Sequence, residues 1–260
     1  MMNESETTAV DTPPSARGGA LAALLATAFG NLYLVFGTLV MATLACLVGL
    51  IDRSGNTTFQ VGRLWSRGIF LASGLKLRTR FAGGLDSSRP VIYMANHQSL
   101  FDIPALFLTL PGQARMLAKE SLFKIPIFGW AIRLGGFISI DRKDRSGAKQ
   151  SFDSAVERLR SGTSALIFPE GTRSRDGRLA PFERGGLLLA LKSGLPIVPV
   201  GIEGTFEVQP KGSFAIRPRT IAVRYGEPIE VERYGIRDRA ELTRKVREAV
   251  AELARTELAQ

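Results

Sequence analysis

The chain has 260 residues, of which 45% are hydrophobic and 22% charged, and its formal net charge is +10. That length supports one domain with a substantial core or two small ones, and the composition excludes a wholly disordered chain. The basic excess predicts a polyanionic partner, which is nucleic acid, an anionic membrane surface or a phosphorylated small molecule. With one histidine (His97) and one cysteine (Cys46), an intrachain disulfide and most imidazole or thiolate metal sites are excluded.

The first 51 residues combine a polar tail with a long apolar run. Residues 1–17 are polar and carry two prolines, so we expect a disordered tail. Residues 18–51 contain no charged side chain, and these 34 residues exceed the ~20 that a membrane-spanning helix needs. We predict a membrane-embedded helix, or a helix pair if Gly30 and Asn31 break the run. A tilted span, a re-entrant pair and a monotopic hairpin all remain open. Cys46 lies within this run, so we expect it to serve in packing.

Residues 52–82 add positive charge directly after the apolar run. The basic side chains recur at helical or strand-like spacings: Arg63, Arg67, Lys76, Arg78 and Arg80. We predict either a basic collar that contacts lipid head groups or an ordinary solvated face. Residues 18–82 are therefore expected to form a membrane-associated helical region with this collar.

Residues 83–260 alternate between short apolar runs and amphipathic segments. We predict strands at 91–95, 115–118, 137–140, 164–168, 197–202 and 220–225. We predict helices at 99–110, 121–134 (interrupted by Pro126), 148–161, 185–192 and 237–258. This alternation predicts an α/β fold with a mixed, largely parallel sheet flanked by helices, in one domain without internal repeats. Pro199 is expected at a sheet edge or at the start of its strand.

The only histidine follows the first strand of this domain. It lies in the run Asn96-His97-Gln98-Ser99-Leu100-Phe101-Asp102, where a strand leads into a helix and where α/β sheets bind ligands. Inside a helix His97 and Asp102 would point about 140° apart, so their pairing requires His97 to lie before the helix. Paired, Asp102 would orient the imidazole, whose other nitrogen would accept a proton from a substrate hydroxyl. Alternatively, Asp102 or Ser99 simply caps the helix.

The chain presents no G-x-S-x-G elbow that would expose a serine nucleophile. An imidazole base without an internal nucleophile favours direct attack by a substrate hydroxyl on an activated acyl group. A covalent acyl-enzyme is therefore not expected.

A second polar block, Phe168-Pro169-Glu170-Gly171-Thr172-Arg173-Ser174, also follows a strand. Gly171 permits close backbone approach, Thr172 and Ser174 offer donors, and the Arg173 guanidinium suits a phosphate. Arg175 and Arg178 add positive potential, although an exposed basic loop is the simpler alternative. Two further cations, Lys119 and Arg142, each close a predicted strand and are expected at the same sheet edge.

At these residues the chain resembles the glycerolipid acyltransferase superfamily, and within it bacterial 1-acyl-sn-glycerol-3-phosphate acyltransferases. Four blocks occur in the family's order between about residues 90 and 200. They are the N-H-x-x-x-x-D block from Asn96 to Asp102, a block ending in Ile140-Asp141-Arg142, the F-P-E-G-T-R-S block, and the strand with Pro199. The separation of the first and third blocks makes a chance match improbable.

The resemblance implies a membrane-embedded N-terminal helical element beside an α/β domain. It implies that His97 is the general base on a glycerol hydroxyl and that Asp102 is its partner. The implied binding residues for the glycerol phosphate are Glu170, Gly171, Thr172 and Arg173, with Lys119 and Arg142 as further anion contacts. The implied donor is acyl-CoA or acyl carrier protein, the acceptor a lysophospholipid and the product phosphatidic acid, with no metal or other cofactor. The implied location is the bacterial inner membrane, with the active site on the cytoplasmic side.

Three alternatives remain at this point. Many relatives carry a lysine where this chain has Glu183, so the same chemistry on another lysolipid, such as lyso-ornithine lipid, stays open. A non-catalytic basic protein that binds membranes or nucleic acid would explain the charge but neither block. A metal-dependent hydrolase is disfavoured because the chain has a single histidine. We expect no nucleic-acid partner.

Overall fold

The computed structural model of the chain describes residues 16–83, 86, 88–140 and 145–258, without the side chains of residues 16–18, 140 and 145–148. Residues 1–15 of the predicted tail lie outside this description, and the first helix begins at Ala16.

Seven strands among these residues form one sheet: β1 (Lys76–Phe81), β2 (Ile92–Ala95), β3 (Arg115–Lys119), β4 (Ile138–Ile140), β5 (Ala165–Ile167), β6 (Ile197–Glu203) and β7 (Thr220–Tyr225). Their order across the sheet is β1-β7-β6-β2-β5-β3-β4. Neighbouring strands are parallel except β6 and β7, which are antiparallel. The predicted α/β fold is confirmed. The predicted strands of residues 83–260 agree with the structure to within one residue at each end.

Helices of the described residues pack against both faces of the sheet or precede it: α1 (Ala16–Leu32), α2 (Thr38–Ile51), α3 (Asn56–Ala72), α4 (Asp102–Thr109), α5 (Phe128–Leu134), α6 (Arg145–Arg160), α7 (Arg184–Ser193), α8 (Thr205–Val208) and α9 (Arg239–Ala254). The predicted interruption of the helical segment 121–134 is confirmed, because a 3₁₀ turn, Glu120–Lys124, precedes α5. Pro126 lies between the two, where it cannot donate the backbone hydrogen bond that a continuous helix requires.

Strand β2 shows why the central strands read as continuous apolar runs. Tyr93 and Ala95 pack into one core cluster with residues of α3 and α4, whereas Ile92 and Met94 pack into a second with residues of α6, α7 and α9. Side chains of a strand alternate between faces, and a parallel sheet is covered on both. Because helices cover both faces of the sheet at β2, a ligand can approach this strand only at its carboxyl end.

Pro199 is neither on an edge nor first in its strand, so that expectation is wrong. It is the third residue of β6, which lies between β7 and β2. Its carbonyl accepts the Gly226 N–H at 2.9 Å, and the pairing of β6 with β7 begins only at Val200. The proline, which has no N–H to donate, therefore lies one position before the regular pairing of β6 with β7 begins.

The N-terminal apolar run is one continuous helix. Helix α1 passes through a π-helical turn, Tyr33–Gly37, into α2 without leaving helical backbone conformation. It does not break at Gly30 and Asn31. A side chain at Gly30 would come within 2.6 Å of the Ser73 hydroxyl, so this glycine permits close packing. The Asn31 amide donates to the carbonyls of Thr27 and Phe214, which satisfies it inside an apolar helix.

Helix α3 runs antiparallel to this long helix, whereas the helix pair predicted within residues 18–51 does not form, because that run is a single helix. The Trp65 indole donates to the Thr38 hydroxyl at 2.9 Å, and Tyr33 packs against Gly68. Any Cβ at Gly68 would overlap the Tyr33 ring, so glycine is required for this approach. The inner side of α3 then joins the core that covers the sheet.

Candidate active site

The catalytic candidate lies where the central strand β2 ends. Asn96, the next residue, is fully buried and forms two hydrogen bonds with the backbone of Ile202 on the neighbouring strand β6. The side-chain amide donates to the Ile202 carbonyl at 2.8 Å and accepts its N–H at 2.7 Å. This pair of bonds fixes the direction in which the chain leaves the sheet, and so places the following His97.

His97 and Asp102 meet as the spacing predicts. The His97 Nδ1 lies 2.7 Å from Asp102 Oδ2, because α4 begins only at Asp102 and leaves His97 in the preceding turn. The same carboxylate oxygen accepts the N–H groups of Gln98 at 2.6 Å and Ser99 at 2.9 Å. Pairing and stabilisation of the helix start, which the sequence left as alternatives, are thus two functions of one buried carboxylate.

The His97 ring is held on a second side by an aromatic neighbour. It stacks on Phe168 with ring centroids 4.0 Å apart and planes 17° apart. Its side chain is 16% exposed, whereas Asp102 is inaccessible. Since Nδ1 is occupied by Asp102, Nε2 is the ring nitrogen left for a substrate. The predicted contact of His97 with Asp102 is present, and their roles as base and orienting partner stay predictions.

Glu170 connects the two sequence blocks. Its Oε1 accepts the His97 N–H at 2.6 Å and its Oε2 accepts the Ala180 N–H at 2.8 Å. The residue is only 5% exposed, and burial raises the pKa of its carboxyl group to about 7, while the two amide donors oppose the rise. Both oxygens are turned inward to backbone groups. The geometry therefore gives Glu170 a positioning role in place of the predicted direct contact with phosphate.

We expect Glu170→Gln to destabilise the protein in a pH-dependent manner. A glutamine has one acceptor oxygen, so one backbone N–H would face an NH₂ group, at a cost of about 1–3 kcal/mol in unfolding free energy at pH 5. Between pH 4.5 and 7 the wild-type folded state binds more protons at Glu170 than the unfolded state. Raising the pH through this window therefore lowers wild-type stability by up to about 3 kcal/mol, and the variant lacks this loss.

The difference between the two proteins should accordingly shrink as the pH rises from 5 to 7.5, measured by denaturant unfolding. Glu252→Gln, on the exposed side of α9, is the control and should unfold like wild type. A stability difference that stays constant with pH would contradict the placement of a titrating Glu170 between two amides.

The residues after Glu170 form a loop with donors facing outward. Gly171 adopts φ +71°, a left-handed conformation that favours glycine, while Thr172 is exposed and Arg173 half-buried. The Ser174 N–H donates to the His97 carbonyl at 2.8 Å, and the Gln98 amide donates to the Gly177 carbonyl at 2.6 Å. These bonds hold the loop beside the catalytic turn, as the shared sheet edge predicts.

Of the two further cations predicted at this edge, the structure describes one. Lys119 is exposed and ends β3, which is separated from β2 only by β5, so it lies at the same edge as His97. Arg142 lies outside the described residues. The binding functions of Lys119, Arg142, Gly171, Thr172 and Arg173 stay predictions.

The predicted basic collar is only partly a surface feature. Arg63 does not face outward, because its guanidinium donates to the carbonyls of Phe107, in the last turn of α4, and of Leu110 and Gly112, just beyond it. Lys76, Arg78 and Arg80 are exposed along the edge strand β1.

The sequence pattern missed one lysine of this site and an apolar cavity beside it. The Lys211 ammonium donates to the Thr172 hydroxyl at 2.9 Å, although no sequence signal joins residues that are 39 positions apart. The cavity, of about 150 Å³, lies between α2, α3, α4, β3 and α5. Its lining includes Ile103, directly after Asp102, together with Phe107, Met116 and Phe137.

Comparison with known proteins places the chain among acyltransferases. The Acyltransferase family model matches residues 76–203. The 1-acyl-sn-glycerol-3-phosphate acyltransferase of Pseudomonas aeruginosa is 34% identical over 185 residues, which are 70% of this chain and 70% of that protein. The chloroplastic 1-acyl-sn-glycerol-3-phosphate acyltransferase BAT2 of Brassica napus is 39% identical over 130 residues, 50% of this chain. The match spans only 38% of that relative's length.

A solved structure agrees with the fold over nearly its whole length. The crystal structure of the 1-acyl-sn-glycerophosphate acyltransferase PlsC from Thermotoga maritima superposes with a TM-score of 0.73 and 26% identity, covering 92% of this chain and 95% of the other. Because this match covers 92% of the chain, the likeness extends beyond the sequence blocks to the N-terminal helices. The chain therefore belongs to the 1-acyl-sn-glycerol-3-phosphate acyltransferase family.

Proposed function

We propose that the protein transfers an acyl group from acyl-CoA or acyl carrier protein to the free hydroxyl of 1-acyl-sn-glycerol-3-phosphate, forming phosphatidic acid for phospholipid synthesis. The observation that carries the proposal is the 2.7 Å contact between His97 and Asp102, beside a loop with outward donors. The names of the matched relatives support this acceptor.

In this mechanism His97 Nε2 removes the proton of the acceptor hydroxyl as its oxygen attacks the thioester carbonyl. Asp102 stabilises the imidazolium that forms. Collapse of the tetrahedral intermediate breaks the carbon–sulfur bond, and the departing thiolate takes the proton back from His97. The products are an ester and a free thiol, so the balance requires neither a metal nor a redox cofactor.

Arg173 is proposed to bind the phosphate of the acceptor. We expect Arg173→Ala to raise the KM for lysophosphatidate by about 10- to 100-fold, since hydrogen bonds to charged groups contribute about 1.5–3 kcal/mol. The kcat and the KM for the acyl donor should change little, as measured in steady-state assays with each substrate varied in turn. Arg255→Ala, a cation beyond the end of α9, is the control. A change confined to the donor KM would show that the loop binds the other substrate.

The apolar cavity is proposed to hold a fatty acyl chain. Its lining is formed almost entirely by hydrophobic side chains, and Ile103 places it next to the catalytic carboxylate. An acyl chain bound there would have its carboxyl end near His97. Burial of methylene groups contributes about 0.8 kcal/mol each, which favours long-chain substrates.

The N-terminal helix is proposed to lie in one face of the membrane without crossing it. Among the described residues, one helix, Gly19–Ile51, is long and apolar enough to span a bilayer, and only 22% of its most apolar window is buried. The rest of the fold contacts it from Thr27, bonded to Ile216, to Gly49, packed on Leu134. That stretch is about 33 Å long and thus exceeds a hydrocarbon core of about 30 Å.

A crossing helix would therefore pull the polar catalytic domain into the hydrocarbon, at a prohibitive solvation cost. A helix lying in the interface avoids this, with its inner side on the domain and its exposed leucines, valines and phenylalanines in lipid. We place the protein on the cytoplasmic face of the bacterial inner membrane, where the thioester donors are made.

Protease accessibility tests this topology. Epitope tags at the two ends of the chain should both be digested in inside-out inner-membrane vesicles and both be protected in right-side-out vesicles. A tag pair that responds oppositely would show that the helix crosses the bilayer.

The function is tested with the purified full chain in mixed micelles. Thin-layer chromatography with labelled oleoyl-CoA or labelled oleoyl acyl carrier protein should show that lysophosphatidate is converted to phosphatidic acid. Comparing the amount of product formed with each donor identifies the donor that the protein uses. A lysolipid panel that includes lyso-ornithine lipid decides the alternative acceptor. Absence of turnover with every pair would favour a non-catalytic membrane-binding protein.

A further inference from the structure

A loop outside the recognised blocks reaches the proposed phosphate site. After β6 and α8, residues 209–217 form a strap that closes on itself through the Ser213 N–H to Pro210 carbonyl bond at 3.0 Å and the Arg217 N–H to Val208 carbonyl bond at 3.0 Å. The strap also contacts the catalytic turn, because the buried Ser99 hydroxyl donates to the Gln209 carbonyl at 2.8 Å. Its position beside the site is therefore determined by several bonds.

Lys211 extends from this strap into the loop that follows Glu170. Its ammonium donates to the Thr172 hydroxyl at 2.9 Å and to the Arg173 carbonyl at 3.3 Å. An ammonium has three N–H donors, so these contacts leave one for another acceptor. Among the described residues, no carboxylate forms an ion pair with Lys211.

The charge balance around Lys211 favours an anionic ligand. The side chain is half-buried, and Arg173 and Arg175 add positive charge in the same loop. Glu170, the nearest acidic residue in that sequence block, directs both of its oxygens inward to backbone amides. Asp176, the other carboxylate of this loop, accepts from the Ser174 hydroxyl and the Arg178 N–H. Among the described residues neither Lys211 nor Arg173 forms an ion pair, so a phosphate that accepts from both would be stabilised.

We propose that Lys211 is a ligand of the acceptor's phosphate group, acting together with Thr172 and Arg173. This inference rests on the proposed function, because it names a binding residue for the same acceptor.

The other end of the strap fixes the position of Lys211 relative to the long apolar helix. The Thr27 hydroxyl donates to the Ile216 carbonyl and accepts its N–H, and the Asn31 amide donates to the Phe214 carbonyl. The strap thus joins the long apolar helix to the anion loop. A lysolipid whose tail lies in the same membrane as that helix would present its phosphate at the level of Lys211.

The test compares an acceptor that has a phosphate with one that lacks it. For Lys211→Met, which keeps the length of the side chain and removes its charge, KM for 1-oleoylglycerol-3-phosphate should rise by about 10- to 100-fold. KM for 1-oleoylglycerol and for the acyl donor should stay within about two-fold, because neither presents a phosphate to this position. Lys211→Arg should restore most of the affinity. Lys245→Met, which removes an exposed lysine whose ammonium contacts the Tyr234 side chain, is the matched control.

A binding arm separates this inference from the proposed function. In a His97→Ala background, the dissociation constants of the two lipids are measured in dodecylmaltoside micelles with and without Lys211→Met. Loss of affinity confined to the phosphate-bearing lipid supports the inference even if the wild-type chain shows no turnover, which would overturn only the proposed function. Equal losses for both lipids, or none, would overturn the assignment. If Lys211→Met fails to fold, Lys211→Gln, which retains a donor for Thr172, gives the same readout.

Discussion

His97→Ala should lower kcat for acyl transfer by at least ~10²–10⁴-fold, the range typical of general base catalysis. The variant removes the nitrogen that accepts the hydroxyl proton, and no second histidine exists to replace it. Initial rates with lysophosphatidate and oleoyl-CoA, at saturating concentrations of both, provide the measurement.

The fold should survive this substitution. Asp102 keeps two of its three hydrogen bonds, those to the backbone N–H groups of Gln98 and Ser99, so the turn before α4 stays supported. Circular dichroism, the thermal midpoint and extraction from membranes should match wild type closely. Turnover near the wild-type rate in a purified, folded variant would refute the proposed mechanism.

Asp102→Asn should produce the second largest loss, again by ~10²–10⁴-fold in kcat, since the orienting partner acts through the same base. The side chain is fully buried, and His97 Nδ1 lies 2.7 Å from its carboxylate. An asparagine keeps the shape and can still accept backbone N–H groups with its oxygen. With its oxygen in the place of Oδ2 it can also accept from the ring, and its NH₂ group takes the place of Oδ1, but it cannot stabilise the imidazolium with a negative charge.

A double-mutant cycle distinguishes this role from a general loss of stability. If Asp102 acts through His97, the kcat of His97→Ala/Asp102→Asn should equal that of His97→Ala alone. If the fold-reduction in kcat of the double variant equals the product of the two single-variant reductions, Asp102 contributes independently of His97, for example by stabilising the start of α4. The pH dependence of kcat should also change in Asp102→Asn, which an effect on folding alone would not produce.

Local sequence was sufficient for the strand and helix pattern and for the His97–Asp102 pair. These features depend on residues that are close along the chain: apolar runs, helix starts and a five-residue separation. The order of blocks at strand ends also indicated that Thr172 and Arg173 would lie at the edge that carries His97. Carboxyl ends of parallel strands meet at one edge whatever the packing elsewhere.

The direction of individual side chains required the fold. Glu170 belongs to a phosphate-binding block in the sequence, yet its carboxylate turns to the amides of His97 and Ala180. Arg63 was expected on a basic surface, but it donates to carbonyls at the carboxyl end of α4. In both cases the partner groups lie at least ten positions away along the chain, so no local pattern reports them.

The sequence by itself determined the class of fold, the acid–base pair and the amphiphilic character of the N-terminus, because each follows from short-range periodicity and composition. Only the tertiary structure decided that the apolar run is one helix packed along the catalytic domain, that Pro199 lies in a central strand, and that Lys211 meets Thr172. These outcomes depend on which distant elements pack together, and that choice is made by the summed burial and hydrogen bonding of the whole chain.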